Sequence, residues 1–174
     1  MALTETMATT QYLSFNLDDE VFALDISKVR EVLEFTTVTK VPQTPDFMLG
    51  VINLRGNVVP VIDMRLKFGM SQTEKTVNTC VIIVEISVDG EKAVLGAMAD
   101  SVQEVFELEA DQVEPAPKIG TRLKTDFIKG MGKRDNKFII ILDIDKIFSS
   151  DMEIMQAAGG YMAGEKESEA EKEE

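Results

Sequence analysis

The chain has 174 residues, and its 18 lysines and arginines against 31 aspartates and glutamates give a formal net charge of −13 at pH 7. A chain of this length forms one domain or two small ones, and it buries a sizeable core without metal or disulfide crosslinks. The negative charge repels a phosphate backbone, so we expect no nucleic-acid partner.

Histidine is absent and Cys80 is the single cysteine. The absence of histidine excludes Ser/His and Cys/His nucleophile pairs, histidine-ligated metals and a phosphohistidine relay carried by this chain. One cysteine forms no intrachain disulfide, which suits a reducing compartment. The start MALTETMATT lacks the regions of a signal peptide, and no stretch approaches about 18 consecutive apolar residues. We therefore expect a soluble cytoplasmic protein without direct membrane insertion.

The first part of the chain predicts short strands. Apolar and polar residues alternate from 13 to 17. The acidic residues 18–20 form a turn, and a second apolar run covers 21–24, so this part of the chain predicts a hairpin. Apolar residues three and four apart between 26 and 33 fit either one or two helical turns or a bent strand. The β-branched residues from 36 to 41 favour a strand that ends at Pro42.

Three further hairpins are predicted along the chain. Arg55, Gly56 and Asn57 form the turn of the first, where Gly and Asn tolerate positive φ, and Asp89 and Gly90 form the turn of the second. The hairpins join residues 51–54 with 58–63, 80–86 with 93–99, and 127–131 with 138–142. Many short strands with turns between them favour an all-β barrel or sandwich over a parallel α/β sheet.

The chain also contains an internal repeat. The segment FMLGVINLRGNVVPVIDMRLKFG (47–69) aligns without a gap with FIKGMGKRDNKFIIILDIDKIFS (127–149), 80 positions later. Upstream, VREVLE (29–34) aligns with VQEVFE (102–107), 73 positions later. The identical pairs in the longer alignment are Phe47/Phe127, Gly50/Gly130, Asp63/Asp143 and Phe68/Phe148. Because both alignments follow the same order, they indicate a duplication.

The repeat suggests a division of the chain. Copy one covers about 11–70 and copy two about 78–150, and domains this small bury only about 60% of their surface and are marginally stable alone. We therefore expect each copy to depend on the other. A flexible arm is expected over 1–10, a short helix over 151–158 and a disordered acidic tail over 159–174, which ends in EKESEAEKEE.

The stretch GVINLRGNVVPVIDMRLKFG resembles the signature of the CheW family of bacterial chemotaxis coupling proteins. The segments YLSFNLDDEVFALDISKVREVLE, TCVIIVEISVDGEKAVLGAMADSVQEVFELE and DQVEPAP are similar to the family in order and spacing, so the resemblance covers about 11–150. It implies an all-β fold with short helices, a tandem of two SH3-like five-stranded β-barrels with an exchanged strand. It also implies a non-enzymatic adaptor that joins the cytoplasmic tip helices of chemoreceptors to the regulatory domain of the histidine kinase CheA.

The regulatory domain of CheA and the CheV proteins share this module. The chain has no phosphorylatable histidine, and its length leaves no room for an ATP-binding segment or a receiver domain, so we expect a stand-alone coupling protein that reaches the inner membrane through receptor complexes. The alternative is an adaptor of another receptor-kinase array, one that controls surface motility or gene expression. The resemblance implies no catalytic, metal-binding or cofactor-binding residue.

Arg55 is the first candidate site residue. It is a long cation in a turn between apolar strands, where it is either solvated or bound to a local carboxylate, and the resemblance associates this arginine with receptor coupling. The resemblance also makes Val29 and Glu31 candidate receptor contacts, whereas the residues alone suggest an amphipathic turn with Val29 inward and Glu31 outward. Cys80 is either a small core residue or a position beside the receptor groove. The kinase-binding residues are not identified.

Asp63 and Asp143 are equivalent in the repeat. A pair of carboxylates suits acid–base catalysis, which would make the chain a hydrolase. Each aspartate, however, ends a strand and precedes a short helical stretch, where an aspartate caps free N–H groups. We therefore interpret both as helix caps.

Overall fold

A computed structural model describes residues 9–35, 37–115, 125–134 and 136–151. Most of the predicted N-terminal arm and the predicted acidic tail lie outside the described residues. The helix predicted over 151–158 also lies outside them, except for its first residue.

The described residues form eleven strands and two short α-helices. The strands are β1 (Thr9–Leu17), β2 (Glu20–Asp25), β3 (Val29–Glu34), β4 (Met48–Leu54), β5 (Asn57–Asp63), β6 (Cys80–Val88), β7 (Glu91–Ala99), β8 (Ser101–Glu109), β9 (Val113–Glu114), β10 (Ile128–Arg134) and β11 (Lys137–Leu142). The helices are α1 (Met64–Lys67) and α2 (Ile144–Ile147), and single 3-10 turns cover Ile26–Lys28, Ala110–Gln112, Thr125–Phe127 and Ser149–Asp151. The predicted all-β class with short helices is confirmed.

The strands form two sheets. The six-stranded sheet has the order β8-β1-β2-β11-β10-β9, and the five-stranded sheet has the order β3-β6-β7-β5-β4. All four predicted hairpins are present as antiparallel pairs, β1–β2, β4–β5, β6–β7 and β10–β11. Within each sheet two hairpins join through one parallel pair, β2–β11 in the first and β5–β7 in the second.

The two sheets do not correspond to contiguous halves of the chain. The N-terminal hairpin β1–β2 lies in the sheet of β8 to β11, whereas the hairpin β6–β7 lies in the sheet of β3 to β5. Each repeat copy therefore gives its first hairpin to the other sheet, so the exchanged element is a whole hairpin. With this exchange, β3 and β8 lie at equivalent edges, and β4–β5 and β10–β11 occupy equivalent positions.

The segment between β2 and β4 departs partly from the sequence prediction. The ambiguous stretch 26–33 contains both a 3-10 turn and the start of β3. The strand predicted over 36–41 is wrong, because its described residues form only an isolated bridge between Thr39 and Val51. Pro42 and Pro45 follow closely, and since proline lacks an N–H donor the segment leaves the sheet after one pair.

The apolar core has three parts. Each sheet curls around a small cluster of its own, and the largest cluster lies between the sheets, with Phe15 and Phe22 from one sheet and Ile62 and Ile82 from the other. Because most buried side chains belong to this shared cluster, neither sheet has much of a core alone. This supports the expectation that the two halves fold together.

The cap interpretation of the two repeated aspartates is confirmed. Asp63 accepts a hydrogen bond from the N–H of Arg65 at 3.0 Å, and Asp143 accepts one from the N–H of Lys146 at 3.1 Å. Asp63 is fully buried and also accepts bonds from the N–H and the hydroxyl of Thr73, at 3.0 and 2.7 Å. It therefore fixes the connection between α1 and β6 as well as the start of α1.

Candidate functional site

Arg55 lies at the tip of the hairpin β4–β5. Leu54 and Asn57 are the last paired residues, so Arg55 and Gly56 form a two-residue turn. Their φ angles are 52° and 87°, which are typical of a type I′ hairpin turn. The sequence interpretation assigned positive φ to Gly56 and Asn57, but Asn57 already pairs in β5. A strained conformation on an arginine, where glycine or asparagine is preferred, points to a role for its side chain.

The Arg55 side chain forms a two-pronged ion pair with Glu31. Its Nη1 and Nη2 groups donate to the two carboxylate oxygens of Glu31 at 2.6 and 2.8 Å. These hydrogen bonds hold the pKa of Glu31 below its usual value and raise the pKa of Arg55. Both groups are therefore charged at neutral pH. The Arg55 side chain remains 70% exposed, so the pair fixes its direction without removing it from solvent.

The ion pair spans the two edges of the five-stranded sheet. β3, which carries Glu31, is one edge strand, and β4, which leads to Arg55, is the other. Behind the pair lies a cleft of about 380 Å³ whose apolar walls include Val58, Ile83 and Val94. The arrangement is an apolar cleft with a charged rim, which suits contact with a partner side chain but presents no reacting group.

A bulge in β3 separates the directions of Val29 and Glu31. Residues two apart in a regular strand point to the same face, but the register with β6 shifts between these two. Val29 pairs with Val84 and packs against the cluster between the sheets, whereas Glu31 pairs with Ile83, which lies in the five-stranded sheet's own cluster. Val29 therefore lies on the junction side and Glu31 on the cleft side.

Cys80 lies apart from this pair. It pairs with Glu34 at the far end of β3, about 16 Å along the strand from Val29 at 3.3 Å per residue. Its thiol is half-buried and donates to the carbonyl of Asn78 at 3.1 Å. The structure thus brings Arg55 and Glu31 together, with Val29 on the same strand, and does not bring Cys80 to them.

A second ion pair, which the sequence reasoning missed, occupies the equivalent place in the six-stranded sheet. Arg134 Nη1 lies 3.1 Å from Glu104 Oε1, and its guanidinium lies over the ring of Phe106 at 5.0 Å. Glu104 aligns with Glu31 in the repeat, and Arg134 lies one position before the residue aligned with Arg55. A cleft of about 510 Å³ lies beside it. The recurrence of this glutamate in both copies was the signal that could have revealed the pair.

The described part of the chain contains no group of three or more cysteine, aspartate or glutamate residues that could hold a metal ion. No helix within that part is long and apolar enough to cross a membrane.

The chain is similar to known proteins over most of its length. A family model described as CheW-like domain matches residues 11–152. The chain is 38% identical over 141 residues to the chemotaxis protein CheW of Klebsiella aerogenes, covering 81% of this chain and 82% of that protein. It is 33% identical over 145 residues to the chemotaxis protein CheW of Thermotoga maritima, covering 83% and 91%. The crystal structure of the scaffolding protein TtCheW from Thermoanaerobacter tengcongensis matches with a TM-score of 0.72 and 38% identity, covering 81% of this chain and 88% of that one.

Proposed function

The chain belongs to the CheW family of chemotaxis scaffold proteins, a non-catalytic family, and we propose that it couples chemoreceptors to the histidine kinase CheA. Its partners in this role are the cytoplasmic tip helices of the receptors and the regulatory domain of the kinase. It works in the cytoplasm and reaches the inner membrane as part of the receptor complex. The match over 11–152 and the high coverage of the relatives support this assignment.

The observation that carries the receptor half of the proposal is the exposed ion pair of Arg55 and Glu31. A guanidinium has five N–H donors, and Glu31 uses two of those on Arg55. No residue that the structure describes accepts from the other three, so they can meet an acidic group on a receptor helix. Because Glu31 holds the guanidinium in one direction, less side-chain freedom is lost when the receptor binds.

Val29 and Glu31 have different parts in this contact. Val29 offers apolar surface near the junction of the two sheets, where a receptor helix lays its apolar face. Glu31 positions Arg55 at the rim of the cleft. Cys80 lies in the same strand pair, β3–β6, at the end away from the cleft. It marks the far end of the receptor surface.

The charge reversal Arg55→Glu tests the receptor contact. It removes the donors and adds repulsion against an acidic receptor group, so affinity for receptor-containing membranes should fall by about 30-fold to 1000-fold. Kinase binding and the cooperative thermal melt should persist because the side chain is exposed. Co-sedimentation with receptor membranes, pull-down with the kinase and circular dichroism measure the three properties.

Two further variants control this test. Arg55→Asn removes the guanidinium but tolerates the positive φ of the turn, and it should weaken receptor binding without the added repulsion. Lys92→Glu reverses a side chain that is 72% exposed on β7, and it should leave both interactions intact. Unchanged receptor affinity in Arg55→Glu would reduce Arg55 to a solvated turn residue, and loss of the cooperative melt would make its role structural.

A further inference from the structure

The hairpin turn that carries Arg55 contains a hydrogen bond that the usual turn pattern lacks. In a two-residue turn the residue before the turn accepts from the N–H of the residue after it, and the second turn residue keeps a free N–H. Here that free donor is the N–H of Gly56, and Oδ1 of Asn53 accepts from it at 2.8 Å. The bond closes a ring around Leu54 and Arg55, so a side chain as well as the backbone ties the turn to β4.

This bond acts on a conformation that arginine seldom adopts. The φ angle of Arg55 is 52°, and a residue other than glycine keeps a positive φ only where its surroundings hold it there. Gly56, at a φ of 87°, has no Cβ and adopts its angle without strain. The strain of the turn therefore falls on Arg55, and the bond between Gly56 and Asn53 opposes its relaxation.

Asn53 acts on Arg55 without sharing the cleft. Side chains alternate between the two faces of a strand, and the flanking Ile52 and Leu54 pack with the five-stranded sheet's own cluster. Asn53 therefore lies on the other face of β4, where it is exposed. The described residues that line the 380 Å³ cleft include Leu54 and Arg55 but not Asn53. The influence of Asn53 on the cleft is therefore transmitted by the turn.

Arg55 is thus fixed at both ends. Asn53 holds its backbone through Gly56, and Glu31 holds its guanidinium at 2.6 and 2.8 Å. The ion pair alone does not fix the backbone, because a long side chain with many rotamers reaches a carboxylate from more than one backbone conformation. The two constraints together give the guanidinium one position at the rim of the cleft.

The other copy of the repeat lacks this arrangement. The residue aligned with Asn53 is Lys133, whose ammonium group donates hydrogen bonds and accepts none. Arg134 pairs with Lys137 at the end of a strand, and its guanidinium lies over the ring of Phe106. The acceptor therefore occurs in the copy whose arginine is displayed from a turn, and not in the copy whose arginine packs.

We propose that Asn53 is a positioning residue for receptor coupling, because its side-chain carbonyl holds Arg55 in the turn conformation from which the guanidinium meets both Glu31 and the receptor. The inference rests on the proposed function, in which Arg55 contacts an acidic group of a receptor helix. Without Asn53, Arg55 relaxes toward negative φ and its guanidinium is held less firmly. More side-chain freedom is then lost when the receptor binds, so affinity falls.

A double-mutant cycle on the full chain tests this inference by co-sedimentation with receptor-containing membranes. Asn53→Ala removes the acceptor and should weaken binding by about threefold to tenfold, the effect of one hydrogen bond. Asn53→Asp keeps an oxygen acceptor and should bind more tightly than Asn53→Ala. Added to Arg55→Asn, Asn53→Ala should have no further effect, because no guanidinium remains to be positioned. As a matched control, Gln72→Ala removes an exposed amide from the loop after α1 and should stay within about twofold of the wild type.

A second measurement does not involve the receptor. The hydrogen bonds from Arg55 lower the pKa of Glu31, so NMR titration of the Glu31 carboxyl carbon reports how firmly the pair is held. In Asn53→Ala the pKa of Glu31 should rise toward its ordinary value, and in Gln72→Ala it should not change. The thermal melts should stay cooperative because Asn53 is exposed. If Asn53→Ala fails to fold, Asn53→Val, which suits a strand and also lacks an acceptor, replaces it.

Three results would overturn the inference. The first is an unchanged Glu31 titration in Asn53→Ala, and the second is wild-type receptor affinity in Asn53→Ala while Arg55→Glu loses it. The third is a loss that multiplies with that of Arg55→Asn, which would mean that Asn53 contacts the receptor directly. Wild-type receptor affinity in Arg55→Glu would instead contradict the receptor half of the proposed function, and the Glu31 titration would still decide whether Asn53 positions Arg55.

Discussion

The cleft beside Arg55 and the cleft beside Arg134 are closed by the same pair of residue types, but the two arginines are held differently. Both terminal nitrogens of Arg55 donate to a carboxylate, and its side chain is 70% exposed. Arg134 lies over an aromatic ring, and its side chain is 38% exposed. The ring belongs to Phe106, and the aligned residue in the other copy is Leu33. Without a ring to stack on, Arg55 projects outward. The arginine of one cleft therefore packs against the protein, and the arginine of the other is displayed to solvent.

The two α-helices show a second difference between the copies. Arg65 in α1 pairs with Asp100, while the aligned Asp145 in α2 pairs with Lys28 at 2.8 Å and accepts the N–H of Ser87 at 2.8 Å. The signs of the charges are reversed between equivalent places. A hairpin in the wrong sheet would bring like charges together, so the reversal favours the observed exchange. The two copies share one backbone arrangement, and the residues that differ between them determine which charged residue pairs with each helix.

The largest expected effect comes from the repeated glycines. In Gly50→Ala the new Cβ would overlap with the backbone carbonyl of Thr39, at a φ of +151° that alanine rarely adopts. We expect a loss of about 3 kcal/mol or more in the free energy of unfolding. In Gly130→Ala the new Cβ meets the side chain of Val113 first, which can rotate, so the loss should be smaller. Urea unfolding of both variants measures the difference, and equal losses would contradict this account of the two copies.

The next effect concerns Lys67, where the other copy has Ile147. Its side chain is 11% exposed and forms an ion pair with Asp151, which is 10% exposed. The Lys67 ammonium lies 4.5, 6.0 and 5.8 Å from the ring centroids of Phe47, Phe127 and Phe148. Removing one partner of a buried pair leaves the other charge unpaired, so Lys67→Ala should cost about 3 kcal/mol, the low end for such pairs because both side chains keep some contact with solvent.

A double variant separates the charge from the packing at this place. Lys67→Met with Asp151→Leu removes both charges and keeps apolar side chains among the rings, as Ile147 does in the other copy. It should unfold within about 1 kcal/mol of the wild type. If unfolding in guanidinium chloride shows that the double variant is as unstable as Lys67→Ala, the packing of the three phenylalanine rings depends on the ammonium group itself.

Replacing the repeated aspartates, Asp63 and Asp143, should also lower stability more in copy one than in copy two. Asp63→Ala removes a helix cap and also leaves the N–H and hydroxyl of Thr73 without their partner, so we expect a loss of about 2 to 3 kcal/mol. Asp143→Ala removes a cap that is more exposed and should cost about 1 kcal/mol. Differential scanning calorimetry compares the two, and a larger loss for Asp143→Ala would reverse this interpretation.

The sequence predicted the four hairpins because alternation and turn residues are local signals. It did not predict which sheet each hairpin joins, because that depends on pairs such as Ile140 with Phe22, which are far apart in the chain. The strand over 36–41 was wrong because its β propensity was outweighed by the prolines that follow. Residue type sets the local pattern, and the pairing of hairpins sets the topology.

The candidate site could be predicted in part for a similar reason. Arg55 is a candidate from its place in the turn and from the family resemblance, and Glu31 from the resemblance alone. Their contact depends on the curl of the sheet and on the bulge in β3, neither of which leaves a periodic signal. Arg134 was missed because the ungapped alignment puts it opposite Leu54 instead of Arg55. The long arginine side chain spans this one-residue shift. Both copies therefore have an arginine–glutamate contact, although the two arginines are not at aligned positions.

The smallest expected effect is that of the Arg55 and Glu31 pair on stability. Glu31→Gln keeps the shape of the side chain and removes its charge, and because the pair is exposed the midpoint of thermal unfolding at pH 7 should fall only slightly. The pKa of Glu31 is lowered in the folded protein, so the pair stabilises the fold above the usual carboxyl pKa of about 4.3 and loses this effect as pH falls through the lowered value. The melts of wild type and Glu31→Gln should therefore differ at pH 7 and converge in acid. A difference that grows on acidification would mean that the carboxylate destabilises the fold, which would contradict a stabilising ion pair with Arg55.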